Sequence, residues 1–275
     1  MAVFGIDTSG RASQVLHDQA FPMIGTPRFW ARYFNGTSSN LFQYTSSEHA
    51  ILRKLGIPVL CIARQMSVVS DASAAAAHAK RNMKGVVDAF GAQYLFAHNI
   101  KPTLYLDLEP EHRGPNFIMS QAYYTNWSAA LAAGYTAGGH TITFRPAVYL
   151  NLGQSRQSFL NLNAACVAGS VCDGVWPARY VHENNSTDEA SPPPPSSAMV
   201  WNNAFLTPEP NPIPPGKPNA HIPTIVWQYY GDYPRSRDAH GKLKKGDVDF
   251  DMVNPALESV VLNGCVPVPP AGAIV

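Results

Sequence analysis

Residues 102–111 read PTLYLDLEPE. Leu104, Leu106 and Leu108 recur at every second position, the spacing at which strand side chains share one face. The opposite face then carries Tyr105, Asp107 and Glu109. Placing two carboxylates beneath covering helices would desolvate both of them without compensation. In an α/β barrel the second face looks onto the central axis, and the C-terminal mouth is where such barrels keep their reacting groups. The stretch therefore predicts a barrel strand with leucines outward and acids inward at the mouth.

The rest of the chain fits that expectation. VFGID (3–7), RFWARYF (28–34), VLCIA (59–63), TLYLD (103–107), PAVYLN (146–151), GVWPARY (174–180) and TIVWQYY (224–230) are predicted strands. TSSEHAILRKLG predicts a helix, since Thr45 and Glu48 match a capping box, Ile51 and Leu55 share a face, and Gly56 stands at the stop. Residues 71–97 are alanine-rich and helix-prone, with Gly85 and Gly91 as division points; 120–133 and 156–165 predict two further helices. Strand followed by helix, repeated, predicts parallel strands joined by crossovers. Seven strands plus a weaker candidate at MVWNNAF (199–205) close as a single (β/α)8 TIM-type barrel, irregular around its seventh strand. A doubly wound open sheet is the runner-up, and the chain has no G-x-G-x-x-G or Walker loop to go with it.

The expected barrel domain covers 1–265, and 266–275 forms an irregular tail. Within the barrel, 183–223 carries SPPPPSS and PEPNPIPPGKP, where proline removes donors and fixes φ. This long Pro-rich excursion is either a surface loop or a lid or partner-binding segment.

Apolar residues make up 45% of the 275, charged residues 14%, and the net charge is +1. A sizeable core is available, and nothing suggests nucleic acid or a membrane surface held by charge. No apolar run reaches the roughly 18 residues of a membrane span. MAVFGIDTSG has neither a basic n-region nor an apolar h-region, so no signal peptide is expected there. The compartment stays open: cytosol, export by another route, or a leader already cleaved. Cys61 lies in an apolar run, Cys166 and Cys172 are close enough for a local bridge or a pair of thiols, and Cys265 has no evident partner. Neither C-x-x-C nor H-E-x-x-H occurs, and no cofactor or metal is expected.

Asp107 and Glu109 on one strand face lie roughly 7 Å apart at Cβ, within the span over which glycosidases hold a carboxylic acid and its partner. Mutual repulsion keeps the less solvated one protonated as a general acid. Asp7 ends the first predicted strand in the same way, and Asp249, in GDVDFDMVN, follows the last. Acids at several strand ends are hard to explain by packing and easy to explain by a shared site. Two lesser readings stay beside this one. A divalent metal held by Asp7, Asp107 and Glu109 is one. The other is a calcium loop at Asp247, Asp249 and Asp251, with Glu258 twelfth, which Met252 in place of the turn glycine and Pro255 oppose.

In FGIDTS, LYLDLEP, VWPARY, WQYY and VDFD, taken in order, the chain resembles the glycoside hydrolase family 25 lysozymes. It resembles especially the glycoside-hydrolase-like barrels grouped as domain of unknown function 1906. That resemblance implies Glu109 as general acid. It implies Asp107 as the group that stabilises developing positive charge or orients a substrate N-acetyl group, with Asp7 and Asp249 completing an acidic cup. It implies the β-1,4 aminosugar linkages of peptidoglycan as substrate, and Tyr149, Trp176, Tyr180 and Trp227 as sugar platforms. The family pattern is departed from at Pro177, in the long proline-rich insertion, and in EPEHRGPN, where Arg113 brings a cation that would hold a nearby carboxylate ionised. The rival from another class is a barrel that binds glycan without cleaving it, or serves as a structural part of a larger assembly.

Overall fold

In the computed structural model, which describes residues 2–35, 43–64, 68–109, 113–151, 154–180, 199–201, 213, 216–234, 236–237, 243–244 and 246–273, eight strands close a barrel. The chain runs β1 (Phe4–Thr8), α1 (Gln14–Ile24), β2 (Trp30–Tyr33), α2 (His49–Leu55), β3 (Val59–Ala63), α3 (Ala75–Phe90), α4 (Ala92–Ala97) and β4 (Thr103–Asp107). It continues through α5 (Gln121–Ala133), the hairpin β5 (Tyr135–Ala137) and β6 (His140–Ile142), β7 (Arg145–Asn151), α6 (Arg156–Val167) and β8 (Val175–Ala178). Then come β9 (Val226–Tyr233), β10 (Ser236–Arg237), β11 (Leu243–Lys244), β12 (Val248–Val253) and α7 (Glu258–Leu262).

Around the barrel the order is β1-β12-β9-β8-β7-β4-β3-β2. The strands from β1 through β9 pair in parallel, as the β-then-α rhythm predicts. The eighth strand does not follow the repeat. Residues 199–201 form no strand, and 202–205 lie outside the described residues. The place is taken by β12, which runs antiparallel to both β9 and β1. Its sequence, VDFDMV, alternates apolar and acidic residues, so it closes the barrel and is not a calcium loop. Most of 183–223 also lies outside the described residues.

Strand alternation separates two layers. Leu104, Leu106 and Leu108 pack into the outer cluster under the helices, together with Ile6, Cys61, Val148 and Leu150. Tyr105 packs into the inner cluster with Phe29, Ala31, Leu60, Ile62, Ala147 and Trp176. Gly5 faces this interior: a Cβ there would stand 2.2 Å from the Phe29 ring, so the floor is filled by Phe29 only because residue 5 has no side chain.

Local signals explain the elements. Glu48 Oε1 accepts from the Thr45 backbone N–H at 3.2 Å, and Gly56 stops α2 in the left-handed conformation. Ser120 caps α5 by accepting from Tyr123 N–H. Gly91, at φ 82°, separates α3 from α4, whereas Gly85 sits buried inside α3 without dividing it. Glu48 also reaches beyond its own helix. Its Oε2 accepts from the Arg32 Nε at 2.9 Å and from the Ala12 N–H at 2.7 Å, while Arg32 Nη1 donates to the Thr8 carbonyl at 2.6 Å. This buried ion pair ties β2 to the loop that leaves β1.

All four cysteines are free thiols. Cys166 and Cys172 are hydrogen-bonded to each other without a bridge, and Cys61 and Cys265 are buried.

Candidate active site

The C-terminal ends of the parallel strands gather the acids read from the sequence. Asp7 sits near the end of β1 and Asp107 ends β4, with Glu109 two residues on. Asp249 belongs to β12 itself and does not follow the last strand. Because β12 runs antiparallel, its N-terminal end reaches the same mouth, and Asp249 pairs in register with Asp7. Asp251, two residues further along β12, lies deeper, where its Oδ1 accepts from the Trp176 Nε1 at 3.0 Å.

Asp7 and Asp107 are buried, while Glu109 and Asp249 are partly exposed. Asp107 Oδ1 accepts from the Glu109 backbone N–H at 3.1 Å, which fixes the turn that follows β4. Burial raises the Asp107 carboxyl to about 6, against the pull of that hydrogen bond and of the Arg64 and Arg113 cations. Burial, followed by the charges of Asp107 and Asp249, raises Glu109 further, to about 8. Burial and the neighbouring carboxylates likewise push Asp7, Asp249 and Asp251 well above the usual range. Glu109 is thus the member of the pair that holds its proton to the higher pH. Arg113 is exposed and acts on Asp107, so it favours the ionised form of that carboxyl.

The expected aromatic platforms divide. Tyr180 lies partly exposed at the mouth, its hydroxyl so close to Gly231 that a Cβ there would stand 2.6 Å from it and 3.0 Å from Asp249 Oδ1. Tyr149 faces inward, and its hydroxyl donates to Gln228 Oε1 at 2.9 Å. Trp176 and Trp227 are corrections to the expectation. Trp176 is fully buried in the barrel interior, edge-on to Phe29, Tyr105 and Tyr149, and cannot stack on a sugar. Trp227 points out of the barrel, where its Nε1 donates to the Arg179 carbonyl at 2.7 Å and its ring packs on Tyr229. Trp227 and Gln228 are adjacent on one strand, so only one of them can face the axis, and it is Gln228.

The site also contains residues that the sequence reading passed over. Gln228 Nε2 donates to Asp7 Oδ2 at 2.8 Å. Arg64 follows β3 and lies over the Tyr33 ring at 5.3 Å, at the end of β2. The signal for Gln228 was available in WQYY, since a glutamine between aromatic residues in a central strand needs polar partners inside the barrel. Among the described residues no group of three or more His, Cys, Asp and Glu side chains is arranged to hold a metal. No helix of the described residues is long and apolar enough to cross a membrane.

No protein-family model matches the chain, and no curated protein matches it. Among solved structures, an uncharacterized protein of B. stearothermophilus aligns over 96% of this chain and 99% of its own, at 15% identity and TM-score 0.59. What the two chains share is the fold. A muramidase from Acremonium alcalophilum aligns over 95% of this chain and 99% of its own, at 18% identity and TM-score 0.49. A family GH25 lysozyme from Aspergillus fumigatus aligns over 96% and 99%, at 13% identity and TM-score 0.48.

Proposed function

We propose that the protein is a glycoside hydrolase that cleaves β-1,4 aminosugar linkages of bacterial peptidoglycan. The observation that carries this reading is the gathering of Asp107 and Glu109 at the end of β4 with Asp7 and Asp249 across the same mouth, where burial pushes Asp107 up to about 6 and Glu109 up to about 8. That offset between two carboxyls is what acid-catalysed glycoside cleavage requires. Glu109 gives its proton to the glycosidic oxygen as the bond from the anomeric carbon breaks. Asp107 faces the positive charge that develops on the sugar, or orients the N-acetyl group. Water then supplies hydroxyl to the anomeric carbon, and its remaining proton returns to the Glu109 carboxylate. Asp7 and Asp249 line the opposite wall, and Tyr180 offers a ring at the rim. The choice of aminosugar polymer rests on the resemblance carried by FGIDTS, LYLDLEP and VDFD.

The test is release of reducing ends from purified peptidoglycan by the wild type and by Glu109→Gln. The substitution is expected to lower the rate by about 100-fold or more, the scale of general-acid catalysis, while the fold is kept. Wild-type rates in the variant would reject Glu109 as the acid. Binding of wall glycan with no release by either protein would favour the non-catalytic barrel.

A further inference from the structure

Position 231 of β9 is glycine, and backbone conformation does not explain it, because its φ lies outside the left-handed range. What explains it is a close approach. A Cβ built there would stand 2.6 Å from the Tyr180 hydroxyl oxygen, 2.7 Å from the ring carbon that bears it and 3.0 Å from Asp249 Oδ1. The absent side chain would therefore have pointed into the acidic mouth, and the end of the Tyr180 ring takes its place.

The tyrosine arrives there along β8. Trp176 and Ala178 pack into the inner cluster, and strand alternation puts Tyr180, two residues on, over the same face. The Arg179 N–H donates to the Gln228 carbonyl at 3.0 Å, which keeps the chain beside β9 up to that point. β9 is bulged where it receives the ring. Between the register pairs Val248–Tyr233 and Phe250–Tyr230, Asp249 alone stands opposite Gly231 and Asp232. Asp232 takes φ 61° there, and its N–H donates to Asp249 Oδ1 at 2.5 Å. The bulge thus ties down Asp249 with its second residue and makes room for Tyr180 with its first.

We propose that Gly231 is a positioning residue: by having no side chain it seats the Tyr180 ring against the wall of the mouth, and this seat sets the width of the sugar subsite beside Asp249. The proposal rests on the reading of the mouth as a glycan-cleaving site, which makes the occupant an aminosugar strand. A methyl group at 231 drives the ring off the wall and into the space the sugar takes. The partly exposed ring is the group that yields, since Asp249 is held by the Asp232 N–H.

The test compares the wild type, Gly231→Ala, Tyr180→Leu and the double variant on peptidoglycan glycan strands stripped of their stem peptides. Release of reducing ends gives KM and kcat, and calorimetry in the Glu109→Gln background gives Kd. Gly231→Ala is expected to raise KM and Kd about 10-fold with kcat within about threefold of the wild type, because the acid pair of β4 is left in place. In the Tyr180→Leu protein the same alanine is expected to change Kd by less than about twofold, since the ring it would displace is gone. An unchanged Kd in Gly231→Ala, or an equal loss with and without the ring, overturns the proposal. If Gly231→Ala does not fold, the unliganded wild type decides: a nuclear Overhauser effect between the Gly231 α-protons and the Tyr180 ring is expected, and its absence overturns the seat. Strands that bind with the expected pattern and are not cleaved by the wild type would support the subsite and reject the glycosidase reading. Strands that do not bind at all would reject both.

Discussion

Glu109 and Asp107 differ in two ways that set their chemistry. Asp107 accepts a backbone N–H and feels the charges of Arg64 and Arg113, while Glu109 is raised by the charges of Asp107 and Asp249. The pair titrates together, so the rate of glycan cleavage is expected to rise through about pH 6 and fall through about pH 8. A pH–rate profile checks this, and a rate that keeps rising beyond pH 9 would contradict it. Stability follows the same shift. The folded-state value of Glu109 is raised from 4.5, so its contribution is full below about pH 4.5 and is lost as pH rises through about 8. Glu109→Gln cannot ionise and is expected to melt about 2–4 °C above the wild type at pH 8, with little difference at pH 4. Thermal melts at the two pH values test the sign. At this scale the acids were legible, because a carboxylate on the inward face of an apolar strand has no bland use. The aromatic residues were less so. Tyr149, Trp176 and Trp227, all buried, stand close to strand ends as the partly exposed Tyr180 does, and nothing short of strand register tells a platform from packing.

At the scale of elements, the Arg32–Glu48 pair is the clearest dependency. Arg32 is fully buried and Glu48 nearly so, and together they join β2, α2 and the β1–α1 loop. Glu48→Ala leaves a buried cation unpaired and is expected to cost about 3–5 kcal/mol, measured by denaturant unfolding. A loss under 1 kcal/mol would show that the pair does not hold these elements. Gly5→Ala places a Cβ inside the Phe29 ring and is expected to cost about 1–3 kcal/mol through overpacking, or more if the ring cannot shift. The sequence identified Glu48 as a capping residue, because the cap is local, but the arginine sixteen residues earlier gives no local sign of the pairing. The helix α1 went unread because its run QVLHDQAFPMI holds Pro22, which reads as a helix breaker. The hairpin β5–β6 turns on Gly138 and Gly139, both at positive φ, which mark a turn without naming the strands.

For the molecule as a whole, barrel closure and site assembly have the same cause. If the last strand were parallel, Asp249 near its start would sit at the floor. Because β12 is antiparallel, Asp249 meets Asp7 at the mouth. The repeat of strands and helices made an eight-stranded barrel readable, since each βα unit announces itself by period. The final strand did not, because its alternating aspartates look like a ligand loop until their partners across the barrel are known. Those partners are Asp7, in register with Asp249, and Trp176, whose Nε1 donates to Asp251, while Gln228 and Tyr149 extend the polar layer from Asp7.

The central claim, that these converging acids cleave a sugar–sugar bond by proton donation from Glu109, is tested most directly by mass analysis of soluble fragments from peptidoglycan digested in ¹⁸O-water. The predicted result is one ¹⁸O at the new reducing-end carbon in the wild-type digest and its loss with Glu109→Gln. Label in a peptide carboxyl, or reducing-end label undiminished in the variant, would contradict it.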